Sequence, residues 1–486
     1  MITWGISANS HDAALAVFVD KKLVFASHSE RFSGLKNDPD LSIDLVNYAL
    51  QWGSPNEVIW YEKPLLKTLR QFQAGQGIKI FENNIKRYLK KYGIRCPIQY
   101  VDHHLSHAAG GYFTSGYNDA TVICIDAIGE YETYTIWKGY KDKLDKVHSE
   151  SYPDSLGLWY SAMTQRIGLK PNEDEYILMG MSAYGKPTYA KDILDDHFLE
   201  IPSKHRPILK MKQNFHRGCQ NYKKNITKKD YFDIAHSTQT IYELIFEGIL
   251  AWAKHNLPSK NLVLTGGCAL NCLANSLAYK YFDNVWIMPN PGDAGSAVGC
   301  VLAHYNFRID YPNSFLGYDI DREYPVDDLL SELTKTGIVG VANGKAEYGP
   351  RALGNRSLVA DPRGPGVRDR VNTIKNRQKF RPFAPAILEE HADDFFDGPV
   401  GPFMQFVANC RQPNEFPGIV HTDGTSRVQT VAKSDDSGFR HLLEEWYKRT
   451  GCPMLLNTSL NIKGKPIVNN EQDACRFEDT YKVKVY

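Results

Sequence analysis

A pattern of apolar strands and polar loops occurs twice in the first 150 residues. The run Thr3–Ser7 (TWGIS) is followed by the loop ANSHD, the strand AALAVFV, a polar turn and LVFASHSE. From residue 121 the order recurs as TVICI, the loop DAIGE, TYTIWKG, a Lys/Asp-rich turn and a segment ending in HSE. This repetition predicts a duplicated α/β lobe, and such lobes bind a nucleotide in their cleft. The alternative is a pair of unrelated meanders.

A second series of elements follows in the middle of the chain. Residues 235–256 have helical spacing and lead into the strand NLVLTGG at 261–267, a glycine turn and the helix CALNCLANSLAYKYF. A strand–Gly-Gly–helix unit presents backbone N–H groups to an anion. NVWIMPNPGDAGSAVGC then predicts a strand, a Pro/Gly loop with Asp293 at its tip, and a helix. The pattern weakens around Tyr311–Asp328, where a domain boundary is expected.

Composition narrows the class of protein. The 486 residues are 42% hydrophobic, with a net charge of +1, which gives no overall attraction to nucleic acid or to an anionic membrane. No run approaches the roughly 18–20 apolar residues of a membrane helix, and the N-terminus lacks a signal-peptide pattern, so we expect a cytoplasmic protein without membrane contact. The nine cysteines include no CxxC pair, which argues against structural zinc and a disulfide framework.

The charge is distributed unevenly. Between Lys345 and Arg381 there are ten Lys/Arg and three acidic residues. The basic residues alternate with Gly, Pro and Asn in GPRALGNRS and DPRGPG, as in loops that bind phosphate. The alternatives are a solvated surface and a nucleic-acid groove, although few aromatic residues are interleaved to stack bases.

Several side-chain patterns could carry chemistry. His103 and His107 are four residues apart, so on a helix they share a face and can hold a metal ion, with Asp293 as a third ligand. Near the C-terminus, PMLLNTSLNIKGKPIV predicts a buried strand followed by a polar turn. Its amide and hydroxyl groups suit a polar ligand or a plain Asx/ST turn.

Both loops of the duplicated pattern contain acidic residues. In DAIGE, Asp126 could hold a cation or a substrate hydroxyl, and Gly129 would allow the backbone to approach phosphate next to Glu130. A plain Asp-Gly turn is the alternative. In ANSHD, His11 and Asp12 could act as a base and the group that orients it, or His11 could simply cap a turn.

Nine segments occur in the same order in the NodU/CmcH-type O-carbamoyltransferases, which the chain resembles over nearly its whole length. They are HDAALAV, DHHLSHAA, DEYILMGMSAYGKP, LTGGCALN, NPGDAGSAVG, GKAEYGPRALGNRSLVADPR, KFRPFAPAILEE, HTDGTSRVQTV and PMLLNTSLN…GKPIV. The blocks GPRALGNRS and RPFAPA are the most specific. Enzymes of this family carbamoylate nodulation factors, cephamycins and tobramycin.

The resemblance implies an α/β protein with two catalytic domains. Residues 1–318 would form a duplicated actin/Hsp70/sugar-kinase-like domain, as in the tRNA threonylcarbamoyl transferase, and residues 319–486 a YrdC-like domain. In the family, carbamoyl phosphate and ATP give carbamoyl adenylate and pyrophosphate in the YrdC-like domain. The carbamoyl group then passes to a substrate hydroxyl at a metal ion, iron in the family, in the N-terminal domain. The expected cofactors are ATP, Mg²⁺ and Fe²⁺ or another divalent metal, and the family analogy favours a homodimer.

The same resemblance assigns individual residues. The metal ligands would be His103, His107 and Asp293, with His11 or Asp12 deprotonating or orienting the acceptor. The nucleotide-binding positions of the N-terminal domain would be Gly129, Glu130, Gly266, Gly267 and Asn271. Phosphate and adenylate ligands in the C-terminal domain would be Lys345, Arg351, Asn355, Arg356, Ser357, Lys375, Arg377, Arg381, Arg427, Asn457, Thr458 and Ser459. Among these, Arg351 and Arg356 are assigned to catalysis of adenylate formation.

Three departures from the family pattern concern pocket details. Asn37 stands where the family commonly has the histidine of KHD, and NGKAEYGP and NTSLNIKGKP replace QGRMEFGP and NTSFNxxGEP. The acceptor therefore stays open among sugars, antibiotics and modified nucleobases. Two other functions are alternatives: a threonylcarbamoyl-adenylate type enzyme acting on tRNA, which the neutral charge argues against, and a non-catalytic nucleotide-binding module, which the retained histidines argue against.

Overall fold

The computed structural model describes residues 1–223 and 225–486 as two compact units. The first unit comprises Met1–Ser29 and Asn37–Pro312, and the second comprises Glu30–Lys36 and Asn313–Tyr486. The second unit thus includes a short segment from near the N-terminus of the chain. Both units contain helices and sheets, so the protein has the mixed α/β structure that the sequence predicts. None of the described helices is long and apolar enough to cross a bilayer.

The described part of the first unit contains two five-stranded sheets and a small two-stranded sheet. The strands of the first sheet are β1 (Ile2–Ser7), β2 (Ala14–Val19), β3 (Lys22–His28), β4 (Glu57–Trp60) and β5 (Ile98–Tyr100). The others are β6 (Asp119–Ile125), β7 (Glu132–Tyr140), β8 (Lys143–Ser151), β9 (Phe198–Glu200), β10 (Lys210–Met211), β11 (Asn261–Thr265) and β12 (Asn284–Ile287).

The two larger sheets have the same topology. Their strand orders are β3-β2-β1-β4-β5 and β8-β7-β6-β11-β12. In each sheet the first three strands form an antiparallel meander, and the last two run parallel to the first strand of that meander. This identity of order and direction is the internal duplication that the repeated strand–loop–strand pattern predicts. The first strand of each sheet ends at a loop, ANSHD after β1 and DAIGE after β6.

Helix α1 (Ser29–Ser33) begins at the last residue of the first unit and continues into the second unit. The other helices of the first unit are α2 (Ile43–Ala49), α3 (Pro64–Gln73), α4 (Ile85–Lys90), α5 (His103–Tyr112), α6 (Leu156–Arg166), α7 (Glu175–Ser182), α8 (Ala190–His197), α9 (Tyr231–Asn256), α10 (Cys272–Leu277) and α11 (Ser296–Tyr305). Helix α9 contains the helix predicted at 235–256.

Close packing between α5, α11 and β1 positions the residues of the candidate site. A Cβ atom at Gly299 of α11 would lie 1.9 Å from the backbone oxygen of Ser106 in α5. A Cβ atom at Gly5 of β1 would lie 1.8 Å from the backbone oxygen of Ala297 in α11. Only glycine allows backbones to approach this closely. The two glycines therefore hold α5 and α11 against each other and against the first sheet.

The second unit is built on a five-stranded sheet of order β14-β16-β22-β17-β21. The strands of this unit are β13 (Phe315–Ile320), β14 (Ile338–Ala342), β15 (Gly344–Glu347), β16 (Arg356–Ala360), β17 (Ala384–Leu388), β18 (Phe396–Asp397), β19 (Ala408–Cys410), β20 (Thr425–Ser426), β21 (Gln429–Val431) and β22 (Met454–Ser459). Its helices are α12 (Val326–Thr336), α13 (Val367–Ile374), α14 (Ala392–Phe395), α15 (Gly438–Thr450) and α16 (Glu471–Tyr481).

Alternate residues of the central strands face two separate cores. Val339 and Val341 of β14 pack in the cluster that contains the apolar faces of α12 and α15. Ile338 and Ala342 belong to the cluster on the other side, with residues of α13 and α16. This period of two is the geometry of a strand covered on both faces. Apolar residues therefore cover both faces of the sheet, and buried polar side chains on it require specific partners.

Candidate metal centre and anion-binding site

Four buried side chains meet in the first unit: His103, His107, Asp126 and Asp293. The Nε2 atom of His103 lies 3.1 Å from Nε2 of His107 and 3.2 Å from Oδ2 of Asp126. Oδ1 of Asp293 lies 3.3 Å from Nε2 of His107 and 3.4 Å from Nε2 of His103. One ligand atom from each side chain falls within 4.8 Å of all the others. Two imidazoles and two carboxylates thus converge on one point.

The elements that carry these groups explain their convergence. His103 and His107 lie one turn apart on α5, so both imidazoles project from one face, as the sequence predicts. Asp126 directly follows β6 in the DAIGE loop, and Asp293 begins the 3-10 turn that leads into α11. The sequence pattern raised Asp126 as a cation ligand, but the metal set assigned from the family resemblance left it out. The structure places it with the other three.

Hydrogen bonds outside the cluster fix the orientation of the ligands. Nδ1 of His107 lies 3.1 Å from the backbone oxygen of Pro291. A carbonyl only accepts, so Nδ1 carries the proton and Nε2 presents its lone pair to the cluster. Oδ1 of Asp126 accepts a hydrogen bond of 3.1 Å from the amide of Gly267. The donor set of two imidazole nitrogens and two carboxylate oxygens fits a divalent transition metal such as iron.

The charges of the cluster are strongly coupled. Burial favours neutral His103, but the Asp293 and Asp126 carboxylates outweigh it and raise the pKa of His103 well above its ordinary value. Burial and the charge of Asp293 act to raise the pKa of Asp126, yet the hydrogen bond to His103 and the histidine charges hold it below its usual range. Two buried carboxylates this close need positive charge between them. A divalent cation supplies that charge without protonating the imidazoles.

His11 and Asp12 lie beside the cluster. The ring of His11 is half exposed, its Nδ1 atom lies 3.1 Å from Oδ2 of Asp12, and its Nε2 atom lies 3.7 Å from Oδ2 of Asp293. Desolvation opposes protonation of His11, but the charge of Asp293 and the hydrogen bond and charge of Asp12 outweigh it and raise the pKa to about 10. The structure therefore brings the predicted base and its orienting partner to the edge of the metal centre.

The glycine positions predicted for nucleotide binding surround the same cluster. A Cβ atom at Gly129 would lie 2.9 Å from Cδ2 of His103. Gly266 has a φ of +86°, and its Cβ atom would lie 2.2 Å from the backbone oxygen of Ile125. Gly267 donates its amide to Asp126, as described above. The absence of side chains at these glycines lets their two loops pack closely against the candidate metal ligands. Nucleotide binding by the same glycines stays a prediction.

Glu130 and Asn271, also predicted to bind nucleotide, cap helices in this structure. The buried carboxylate of Glu130 accepts hydrogen bonds from the amides of His103, at 3.1 Å, and Lys63, at 2.7 Å. The side chain of Asn271 accepts from the amide of Ala274. Because this cap begins a new helix at α10, the sequence CALNCLANSLAYKYF does not form the single long helix that was predicted. Instead, a 3-10 turn lies on either side of the short helix α10.

Several of the predicted adenylate ligands meet in the second unit at the carboxyl end of β22. Lys375 donates through Nζ to the backbone oxygen and the hydroxyl of Ser459 and to Asn461. Ser459 pairs with Ser357 across β16 and β22. Burial lowers the pKa of Lys375 well below its ordinary value, and the positive charges of Arg377 and Arg381 lower it further. An anionic ligand beside these three cations would relieve their repulsion.

Asn457 connects this cluster to the GPRALGNRS loop. Its Nδ2 atom donates to the backbone oxygen of Ala352, next to Arg351, and to Oε1 of Gln429. Gln429 in turn donates to the backbone oxygen of Leu353. Gln429 lies two residues after Arg427 and was not singled out from the sequence. A lone glutamine gives no local signal, and only the pairing of β17 with β21 reveals its position.

Arg356 is fully buried and makes five hydrogen bonds to backbone oxygens. Its acceptors are Asn343, Asn355, Asn469 and Tyr318. A guanidinium has five N–H donors, so in this arrangement the side chain holds the protein backbone and has no donor left for a ligand. Burial lowers its pKa to about 10.

The remaining predicted ligands differ in exposure. Lys345 is exposed on β15, and Asn355 donates from its side chain to the backbone oxygen of Lys345. Arg351, Arg427 and Thr458 are half-buried. The Nε atom of Arg427 is buried and has no hydrogen-bond partner among residues 1–223 and 225–486. The structure thus brings Ser357, Lys375 and Ser459 into one cluster and leaves Lys345 on the surface.

Comparison with known proteins defines the family. The profiles of the carbamoyltransferase N-terminus and C-terminus match residues 60–302 and 330–486. An uncharacterized protein of Synechocystis sp. is 32% identical, with the alignment covering 97% of this chain and 93% of that protein. The nodulation protein NolO of Bradyrhizobium diazoefficiens is 31% identical over 77% of this chain and 75% of that protein. A 3'-hydroxymethylcephem-O-carbamoyltransferase of Amycolatopsis lactamdurans is 27% identical over 95% of this chain and 94% of that protein.

The chain has a mixed α/β structure and a buried His/Asp centre, and the profiles of both carbamoyltransferase terminal domains match it. These observations define it as a transferase. The chain belongs to the carbamoyltransferase family. This confirms the resemblance inferred from the sequence blocks.

Proposed function

We propose that the protein is an O-carbamoyltransferase that uses ATP and carbamoyl phosphate. The observation that carries the proposal is the convergence of His103, His107, Asp126 and Asp293, in a chain whose relatives include a cephem O-carbamoyltransferase. We further propose the finer assignments, namely an actin-like first domain, a YrdC-like second domain, and a homodimer. The acceptor is a hydroxyl of a sugar, an antibiotic or a modified nucleobase.

Activation of the carbamoyl group belongs to the second unit in this proposal. Carbamoyl phosphate, ATP and one water give carbamoyl adenylate, phosphate and pyrophosphate. Water first cleaves carbamoyl phosphate into carbamate and phosphate. A carbamate oxygen then bonds to the α-phosphorus of ATP as the bond to pyrophosphate breaks. Both reactants are anions, so fixed cations must offset their repulsion. Lys375, Arg377 and Arg381 supply such charge, and Arg351 lies on the adjoining GPRALGNRS loop.

Transfer to the acceptor belongs to the first unit. The acceptor oxygen bonds to the carbonyl carbon of the adenylate, AMP leaves, and the hydroxyl proton must be removed. The two histidines and two aspartates would hold a divalent metal, iron by family analogy, which supplies Lewis-acid polarisation when bound. His11 is the candidate base because Asp12 orients its Nδ1 atom and its Nε2 atom faces the centre. Neutralising Asp293 would remove the charge that raises the pKa of His11 and favour its basic form.

The experiment supplies purified protein with ATP, Mg²⁺ and carbamoyl phosphate and follows pyrophosphate release, with nucleotide products identified by mass spectrometry. Pyrophosphate release that depends on carbamoyl phosphate supports the activation step, and carbamoyl adenylate should be detected. Turnover with bicarbonate and threonine instead would move the protein to the tRNA-modifying class. Absence of turnover with either donor would contradict the proposal.

Two matched variants separate the steps. Arg351→Gln should abolish adenylate formation and leave the metal content unchanged. His103→Asn should lower the metal content, leave adenylate formation intact and stop transfer once an acceptor is supplied. Loss of both activities in each variant would show that the two steps are not divided between the units as proposed.

A further inference from the structure

The short segment Glu30–Lys36 belongs to the second unit although it lies near the N-terminus of the chain. Its buried residue Arg31 donates through Nη2 to the backbone oxygen of Gly349, at 2.8 Å. The two residues are 318 positions apart in sequence. Gly349 begins the loop GPRALGNR, which carries Arg351, the residue assigned above to carbamoyl activation. Arg31 therefore contacts the activation loop itself.

Glu347 holds the other end of this loop. Its Oε1 atom accepts hydrogen bonds from the amides of Leu353, Asn355 and Arg356, at 2.7, 3.0 and 3.3 Å. The carboxylate is buried and accepts hydrogen bonds from three amides within four residues of the loop. Gln429 adds a side-chain donor to the backbone oxygen of Leu353. With Arg31 at Gly349, the backbone on both sides of Arg351 is anchored.

The positive charge of Arg31 interacts favourably with the buried carboxylate of Glu347. Burial lowers the pKa of Arg31, and the charges of Glu30 and Glu347 oppose that effect. Nε of Arg31 lies 3.8 Å from Oε1 of Glu30. The buried charge of Glu347 is thus offset by Arg31 as well as by Arg356. Removing Arg31 frees the carbonyl of Gly349 and weakens the electrostatic support of Glu347 at once.

The residues immediately before Arg31 contact the loops of the metal centre, within the first unit. Nδ2 of Asn290, three residues before Asp293, lies 3.0 Å from Nε2 of His28. The amide of Ser29 donates to the backbone oxygen of Ala13, directly after His11 and Asp12. The chain is thus held in place within the first unit immediately before it reaches Arg31.

We infer that Arg31 is a positioning residue for carbamoyl activation, because its hydrogen bond to Gly349 holds the loop that carries Arg351. The inference rests on the proposed function of the second unit. It gives the segment a role that its sequence alone did not reveal.

The test compares Arg31→Gln and Arg31→Lys with a control, Arg370→Gln, in the full-length protein. Arg370 donates its guanidinium to the backbone oxygen of Thr336 in the same unit, away from the activation loop. Hydrogen–deuterium exchange should be about tenfold faster in peptides spanning 348–356 of Arg31→Gln, because a loop-anchoring hydrogen bond is lost. Exchange elsewhere should match the wild type. The lysine variant, which retains a donor and a charge, should recover most of the protection.

Kinetics provide the second readout. The KM for carbamoyl phosphate in pyrophosphate release should rise roughly tenfold in Arg31→Gln and return towards the wild-type value in Arg31→Lys. A purely structural role would lower the apparent kcat through loss of folded protein and leave KM unchanged. The metal content should stay at the wild-type level.

The two proposals fail in different ways. Absence of carbamoyl-phosphate-dependent turnover in the wild type contradicts the proposed function, and the exchange measurement still decides whether Arg31 anchors the loop. Unchanged exchange at 348–356 in Arg31→Gln overturns the inference. Faster exchange throughout the second unit overturns it as well, because it would show a general structural role.

Discussion

Asp126 and Gly267 join the two loops of the metal centre: Oδ1 of Asp126 accepts a hydrogen bond of 3.1 Å from the amide of Gly267. This contact leaves Oδ2, which lies 3.2 Å from Nε2 of His103, to face the cluster. One oxygen of the carboxylate thus serves the backbone, and the other is available as a ligand. The division leaves Asp126 able to serve as a fourth ligand, beyond its role in the turn.

Replacing Asp126 by asparagine tests this assignment. We expect Asp126→Asn to lower metal affinity at least about tenfold, because one anionic ligand is removed while the side-chain shape is kept. Metal titration followed by elemental analysis measures the change. Asp145→Asn, on an exposed part of β8, is the control and should bind metal normally. Wild-type affinity in Asp126→Asn would reduce the centre to the three ligands predicted from the sequence.

Gly129 offers a test of how tightly the loop packs on the ligands. A Cβ atom there would lie 2.9 Å from Cδ2 of His103 and 3.0 Å from Cδ2 of His104. Gly129→Ala should therefore displace the His103 ring and weaken metal binding by roughly tenfold, in line with the effect of disturbing groups that orient ligands.

Gly180 provides the matched control for this substitution. It lies in α7, and a Cβ atom there would have no neighbouring atom within 4 Å, so alanine is accommodated. Gly180→Ala should stabilise the protein by about 0.5–1 kcal/mol through helix propensity and leave metal binding unchanged. Equal metal affinity in both alanine variants would contradict the packing argument.

A buried ion pair supports the loop that carries His11. Nζ of Lys67 lies 2.6 Å from Oε1 of Glu62 and donates to the backbone oxygen of Asn9, at 2.8 Å. Lys67→Met leaves the buried carboxylate without its partner and should destabilise the first unit by about 3–5 kcal/mol. Calorimetry should show the double variant Glu62→Gln/Lys67→Met to be more stable than Lys67→Met. A double variant that is less stable than either single variant would exclude this coupling.

Glu390 and Arg440 predict a pH-dependent contribution to stability in the second unit. Arg440 is buried and forms two hydrogen bonds with the Glu390 carboxylate, at 2.7 and 3.0 Å. The hydrogen bonds lower the pKa of Glu390 to about 2 from its ordinary value of 4.5. The stabilisation is therefore fully present above pH 4.5 and is lost as the pH falls towards 2.

The variant Glu390→Gln measures this contribution. Since a third of the Glu390 side chain is exposed, we expect a loss of about 1 kcal/mol or less at pH 6.5. The difference in Tm between wild type and variant should shrink at pH 3.5. A difference that stays constant between these two pH values would show that the carboxylate charge is not responsible.

Local patterns in the sequence predicted much of the fold and part of the site. The alternation of apolar and polar residues indicated the duplicated meander, because a strand repeats every two residues whatever surrounds it. The spacing of His103 and His107 placed both on one helical face for a similar reason. The helix within α9 and the strand β11 were likewise readable, since their signals lie within the elements themselves, although β11 ends two residues before the predicted bound.

The tertiary structure decided what these residues touch. Asp126 lies against His103, Glu130 caps α5, and Arg31 donates to Gly349 across 318 positions of sequence. Arg356 directs its donors to backbone oxygens because the strands around it bury it completely. Periodicity encodes which face of an element is buried, but it does not encode which distant backbone lies against that face. The sequence by itself therefore determined the elements, the basic segment and the family. The packing of the chain determined which candidate ligands converge and which contacts hold each loop in place.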